Sequence, residues 1–192
     1  MSDRTLQRLA RAVREEGGLL ATALRQGAGD DPGDGRLGGV AAAGPRAEGR
    51  RQELALVVEA VHEGYLLHYG RPRLFDTPDR DLALLAGDRL YALGLARLAE
   101  LGDLDAVGEL ADVISLCAQA HAQGDPPLAE AAWRAGAVAV GWGQSPSLAA
   151  AKAAARRGEA GAGARLLAAA RQLSGDLAPG RAPGGPTGDG PP

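Results

Sequence analysis

The chain is poor in cysteine, lysine and aromatic side chains, and these shortages exclude whole classes of protein. Its 192 residues include one cysteine, Cys117, so no disulfide can form within the chain, which favours a reducing compartment. Lys152 is the only lysine among 21 basic residues, and the formal net charge is −3. Because no basic stripe accompanies this mildly acidic balance, we expect neither DNA nor RNA as a partner.

Long apolar runs are also missing. The longest nearly apolar stretch, 135–142, is far shorter than the roughly 20 residues that span a bilayer. The first residues, Met1-Ser2-Asp3-Arg4, lead into a charged amphipathic stretch and lack the apolar core of a signal peptide. We therefore expect a cytoplasmic protein with no membrane span.

Glycine (29 residues) and proline (12) are abundant, and they cluster in two places. Segments rich in these residues and without hydrophobic periodicity do not bury enough apolar surface to fold. The clusters divide the chain into an N-terminal helix at 1–26, a flexible Gly/Pro linker at 27–48, a helical bundle domain at 49–174 and a disordered tail at 175–192.

Between the glycine clusters, apolar residues recur at helical spacing, and no strand pattern occurs anywhere. One helix face is formed by Leu54, Val57, Val58, Val61, Tyr65 and His68. Helix starts are predicted at the capping residues Thr77, Asp103, Asp125 and Ser145, three of which precede a proline. The fold class predicted from this pattern is an all-α helical bundle.

The pair His62-Glu63 suggests a zinc hydrolase, whose motif needs a second histidine four residues later on the same helix face. Here the second histidine, His68, follows after six residues and lies about 120° away around the helix. Glu59, one turn before His62, is the better-placed partner. A helix-surface or interface role is therefore favoured for His62.

Three carboxylates, Asp76, Asp79 and Asp81, lie beside arginines of the same segment and are candidate ligands of a magnesium-diphosphate site. They straddle a predicted turn and form no stripe on one helix face. N-capping and pairing with the helix dipole is the preferred interpretation.

The predicted helix at 79–100 is apolar around most of its circumference, which is typical of a central helix or of one covered by a partner. Asp88 lies within it, and a buried carboxylate needs a partner in this chain or across an interface. The predicted partner interface comprises Leu84, Asp88, Tyr91 and Leu95.

Several segments between His62 and Gly124 resemble the trans-polyprenyl diphosphate synthases, over about a third of the chain. They are Val61-His-Glu-Gly-Tyr-Leu-Leu-His68, Gly70-Arg-Pro72, Leu84-Leu-Ala-Gly-Asp88-Arg-Leu-Tyr91 and Leu98-Ala-Glu-Leu-Gly-Asp103. The resemblance implies a truncated form of the all-helical isoprenoid-synthase fold. In the family, the helix with the "leu-ala-gly-asp" stretch packs near the subunit interface.

The departures from the family pattern decide what the resemblance implies. The family's histidine is followed by an Asp-Asp-x-x-Asp run that holds magnesium, whereas His68 is followed by Tyr69-Gly70-Arg71. The second Asp-rich motif and the Gly-Lys-x-x-Arg segment are also missing. Because magnesium neutralises the departing pyrophosphate, we expect no catalytic residue and no resident cofactor in this chain alone.

Some bacterial heptaprenyl and hexaprenyl diphosphate synthases have two components, and the sequence looks like their small, non-catalytic subunit. The resemblance then implies a catalytic polyprenyl diphosphate synthase subunit as partner, with Mg²⁺ bound by that partner. The accessory chain would help to set prenyl chain length, for example of menaquinone side chains.

Two other hypotheses stay open. The first is a stand-alone helical interaction module without an isoprenoid role, in which the Ala-rich region 128–173 stacks as helix pairs. The second is a degenerate, magnesium-dependent prenyl diphosphate-binding enzyme that uses Asp76, Asp79 and Asp81.

Overall fold

The computed structural model describes residues 3–28, 36–77 and 79–175. In this part of the chain it forms an all-α bundle without strands, which confirms the predicted fold class. The helices are α1 (Asp3–Glu16), α2 (Gly18–Thr22), α3 (Arg36–Ala43), a 3-10 helix (Pro45–Ala47), α4 (Arg51–Tyr69), α5 (Arg80–Glu100), α6 (Leu104–Ala122), α7 (Pro126–Trp142), α8 (Pro146–Arg156) and α9 (Ala162–Ser174). None of these described helices combines the length and the apolar character needed to cross a bilayer.

The predicted N-terminal helix at 1–26 is two helices. Gly17 and Gly18 both have positive φ, 74° and 68°, a conformation that breaks helical geometry and that glycine adopts at little cost. The chain therefore turns between α1 and α2, and α1 buries Leu6, Leu9 and Val13 against the bundle.

The prediction of a flexible linker at 27–48 is wrong for residues 36–47, which form α3 and the 3-10 helix. Residues 29–35 and most of the predicted tail, 176–192, lie outside the described residues. Tertiary packing explains the difference, because Ala41 and Ala47 are fully buried in the main core although their local sequence has little helical periodicity.

The predicted starts of three later helices are confirmed by their caps. The side chains of Asp103, Asp125 and Ser145 each accept a hydrogen bond from the backbone N–H three residues on. The prediction for α5 is two residues too early, because its cap is Asp79 and not Thr77. Asp79 has the extended backbone of an N-cap, and its carboxylate accepts from the N–H groups of residues 81 and 82.

Two cores lie on either side of α4. The main core lies between α4 and the layer formed by α3, α6, α7, α8 and α9. The second core joins α1 and α2 to the opposite side of α4 and to α5. Helix α5 borders both, because Tyr91 and Leu95 pack against the main core whereas Leu82 and Leu93 pack against the second.

Helices α3 and α7 cross with their backbones in contact. A Cβ atom on Gly44 would overlap the backbone of Gly141, and one on Gly141 would overlap the carbonyl of Ala41. Only glycine permits this approach, so the sequence brings α3 onto α7 by omitting side chains at the crossing.

The only lysine of the chain, Lys152, is buried on α8. Its ammonium group donates to Glu109 of α6 and, at 3.2 Å, to Asp112. A buried charge needs a partner of opposite charge, and these ion pairs connect α8 to α6.

Candidate functional site

Helix α4 lies against α5 at a glycine-lined crossing. A Cβ atom on Gly64 would come within 2.8 Å of the Gly87 carbonyl oxygen, and one on Gly87 within 2.6 Å of the His68 ring. The glycine of the Leu-Ala-Gly-Asp stretch is therefore needed to seat α5 on α4. The crossing brings together the segments 61–68 and 84–91 that carry the resemblance described above.

At this crossing, His68 contacts two residues of α5, Asp88 and Tyr91. Its Nε2 atom lies 3.1 Å from the Asp88 carboxylate, and its ring stacks on Tyr91 at 5.2 Å with an interplanar angle of 6°. The expectation that Asp88 is buried is wrong, since its side chain is 68% exposed. Asp88 lies at the solvent edge of α5, and its partner is a histidine.

Beyond His68, the rings form one continuous cluster between α4, α5, α6 and α7. This aromatic cluster contains every histidine and every tyrosine of the chain together with one of its two tryptophans. Its members are His62, Tyr65, His68, Tyr69, Tyr91, His121 and Trp133. Sequence reasoning treated these residues one by one and missed the cluster, because α6 and α7 supply His121 and Trp133 from distant parts of the chain.

A hydrogen bond and a stacked pair connect α4 to α6 within the cluster. The Tyr65 hydroxyl lies 2.9 Å from His121 Nε2, and the rings of Tyr69 and His121 stack at 4.2 Å and 3°. Tyr69 is 44% exposed at the outer rim, while Trp133 is buried at the inner end. The cluster thus runs from the core to the surface.

His62, Tyr65 and the adjoining Cys117 are neutral at physiological pH. Burial, together with the charge of Arg73, lowers the pKa of His62 to about 3. Burial also raises the pKa of Tyr65 to about 12 and that of the neighbouring Cys117 thiol to about 12. Neutral imidazole, phenol and thiol groups of this kind pack as apolar surface, and the thiol is not a reactive nucleophile.

The expected pairing of His62 with Glu59 is wrong. Its Nδ1 atom is buried and has no hydrogen-bond partner in the described part of the chain, and its ring lies 4.8 Å from that of Trp133. Glu59 instead accepts the N–H of Gly38 at 2.7 Å and contacts Arg73 at 2.8 Å.

Glu59 belongs to a buried charge network that fixes the segment after α4. Glu59 and Glu63, one turn apart and fully buried, both bind the Arg73 guanidinium. Burial opposes the charge of Arg73, yet the two carboxylates raise its pKa. Glu63 also accepts the backbone N–H groups of Arg73 and Leu74, so the network holds the backbone as well as the side chain.

The candidate metal ligands do not come together. Asp79 uses its carboxylate to cap α5, and Asp76 and Asp81 are exposed. Residues 3–28, 36–77 and 79–175 contain no group of three or more His, Cys, Asp or Glu side chains placed to hold a metal ion.

The predicted interface residues lie on one edge of α5. Leu84, Tyr91 and Leu95 are half-buried there, next to the exposed Asp88. This edge faces α6, because Tyr91 and Leu95 pack against the main core to which α6 contributes Cys117. Three of the four residues are thus partly accessible and apolar or aromatic.

The outward face of α6 adjoins this edge and was not predicted. Apart from Asp105 in the first turn, the exposed residues of α6 recur at i, i+4 and i+7 and are uncharged. They are Leu104, Gly108, Ala111, Ser115, Ala118 and Ala122. We call these residues together with Leu84, Asp88, Tyr91 and Leu95 the α5–α6 surface. The outward face of α1 differs, since it carries Arg11, Arg14 and Glu15.

Comparisons of the chain with models of known protein families, with curated protein sequences and with solved structures found no match. The helices of the structure define the class of the protein, which is an all-α helical bundle. Its relation to the polyprenyl diphosphate synthases stays a prediction from the sequence.

Proposed function

We propose that the chain is a non-catalytic accessory subunit of a polyprenyl diphosphate synthase and binds its catalytic partner through the α5–α6 surface. The observation that carries the proposal is the uncharged outward stripe of α6, which lies beside the half-buried Leu84, Tyr91 and Leu95 of α5. Exposed helix faces of soluble proteins are rich in charge, and an uncharged one with bulky apolar rims is typical of a binding surface.

Exposed bulky residues support this choice of surface. Leu104, at the start of the α6 stripe, is 71% exposed, and Tyr69 is exposed at the rim of the aromatic cluster. The alanine, serine and glycine residues along α6 would let a partner helix approach closely. Tyr69 and Leu104 at the rim would add apolar contact with that partner. The catalytic subunit would supply the Asp-rich motifs and Mg²⁺, and this chain would influence prenyl chain length.

The test is co-expression with a synthase subunit that carries both Asp-rich motifs, followed by size exclusion and analysis of product length. We expect a complex and a product of altered length. Ala111→Glu, which places a charge in the α6 stripe, should weaken the complex at least about tenfold, because the carboxylate would be desolvated in the interface.

Ala168→Glu is the matched control, because Ala168 is an exposed helical alanine on α9, outside the α5–α6 surface. This variant should bind like the unmodified chain. Unchanged activity and product length, with no complex on size exclusion, would rule the proposal out. A complex that Ala111→Glu leaves intact would place the interface elsewhere.

A further inference from the structure

A cleft of about 410 Å³ lies between the end of α4, the segment 70–77 and the start of α5. Its volume is within the range of small-molecule sites, roughly 300–1,000 Å³. It does not include any residue of the aromatic cluster. Its charged and hydroxyl-bearing lining residues are Arg25, Arg71, Asp76, Thr77 and Arg80.

The cleft is basic although the chain as a whole is acidic. Three arginines line it: Arg25 after α2, Arg71 after α4 and Arg80 in the first turn of α5. Asp76 is the only carboxylate in its lining. The formal net charge of the whole chain is −3. Within the described residues, the exposed side chains of Arg71 and Arg80 have neither an ion pair nor a hydrogen bond.

The third arginine is held in place by the wall of the cleft. The Arg25 guanidinium donates to the carbonyl oxygen of Pro72 at 3.2 Å, and its backbone N–H donates to the Leu74 carbonyl at 2.8 Å. The wall itself is fixed, because the N–H of Asp76 donates to the Ala23 carbonyl at 3.0 Å and Leu74 is bound by Glu63. A site that is ordered before binding loses less entropy on binding.

From this arrangement we propose that the cleft binds a small polyanion whose charge is carried by phosphate or carboxylate groups. Guanidinium groups present paired N–H donors that match both kinds of oxyanion, and Thr77 adds a hydroxyl. The arginines carry the site, because the Asp79 carboxylate already occupies N–H groups of the first turn of α5. The inference is independent of the proposed role in prenyl synthesis.

The experiment is calorimetric titration of the full chain, at low ionic strength, with inorganic phosphate and separately with citrate. We expect saturable binding of at least one of the two anions with a Kd of about 1 mM or below. Arg71→Gln and Arg80→Gln should each weaken that binding about tenfold, and Arg80→Lys, which keeps the charge without the fork, should fall between.

Arg171→Gln is the matched control, since Arg171 is exposed on α9 outside the cleft. It should leave the affinity unchanged, and circular dichroism should show the same helix content in every variant. The ratio of the phosphate and citrate affinities assigns the preferred oxyanion. Absence of saturable binding by both anions, or equal weakening in Arg171→Gln, would overturn the site.

Discussion

The α3–α7 crossing and the gap between α4, α6 and α7 are packed in opposite ways. Where α3 crosses α7, glycine and alanine bring the backbones into contact, and no side chain separates the helices. Where α4 faces α6 and α7, seven rings fill a wider gap and reach the surface at Tyr69. The first region is a packing contact only, whereas the second is a packing contact that also exposes an aromatic side chain. The proposed partner surface lies beside this second region, which has the larger residues.

Glu59 connects α3 to the segment after α4, because it accepts the N–H of Gly38 and binds the Arg73 guanidinium. Arg73→Met should therefore have the largest effect on stability, about 4 kcal/mol, since it leaves two buried carboxylates without their cation. Urea unfolding at neutral pH measures it. Arg156→Met, which removes an exposed ion pair with Asp112, should cost less than about 1 kcal/mol. Equal effects of the two variants would contradict this role of the network.

The backbone contact between α3 and α7 is tested by Gly141→Ala. The added methyl group overlaps the Ala41 carbonyl, and neither backbone has room to move, so we expect a loss of about 3 kcal/mol. Gly108→Ala is the opposite case, because nothing lies within 4 Å of the added atom on the outer face of α6. It should stabilise the protein by about 0.5–1 kcal/mol through helix propensity. A neutral Gly141→Ala would show that the crossing is not tight.

The ring-filled region should respond to acid. The pKa of His62 falls from the ordinary value of 6.5 to about 3 in the folded chain, so its contribution to stability is complete above pH 6.5 and disappears as the pH falls toward 3. The loss should be about 3 kcal/mol near pH 4.5. His62→Phe, which retains a ring beside Trp133 but cannot titrate, should unfold with a flatter pH dependence over this window. Identical pH dependence in both proteins would mean that His62 accepts its proton without unfolding.

The smallest expected effect concerns a single hydroxyl of the aromatic cluster. Tyr65→Phe removes the hydrogen bond to His121 and should cost about 1 kcal/mol in thermal or urea unfolding. Tyr69→Phe is the control, because no hydrogen bond of the Tyr69 hydroxyl occurs in the described structure and its ring is half-exposed. A loss of the same size in both variants would show that packing, and not the hydroxyl, connects α4 to α6 here.

Most of the fold could be predicted from local signals. Asp103, Asp125 and Ser145 mark their helix starts because an N-cap interacts within one turn, and apolar periodicity predicts a face of α4 directly. Helix α3 could not be predicted in this way, since its Ala- and Gly-rich sequence folds only against α4 and α7. The same limit applies to the cluster of His62, Tyr65 and Trp133, whose members meet through tertiary packing.

The candidate sites were predicted only in part. The edge of α5 with Leu84, Tyr91 and Leu95 follows from the periodicity of one helix. The adjoining stripe of α6 can be recognised only in the structure, where none of the described helices covers it. The basic cleft could not be found from sequence either, because Arg25 and Arg80 are 55 residues apart in the numbering. Local patterns show what a helix can bury, and they do not show which surfaces remain open.

The burial of Lys152 has a practical consequence for chemical labelling. Its amine is held between Glu109 and Asp112, and only 7% of the side chain is exposed, so amine-reactive reagents cannot reach it in the folded bundle. Acylation of this one position therefore requires that α8 separate from α6. Mass spectrometry of labelled peptides would follow the opening of that pair of helices through a single reporter atom.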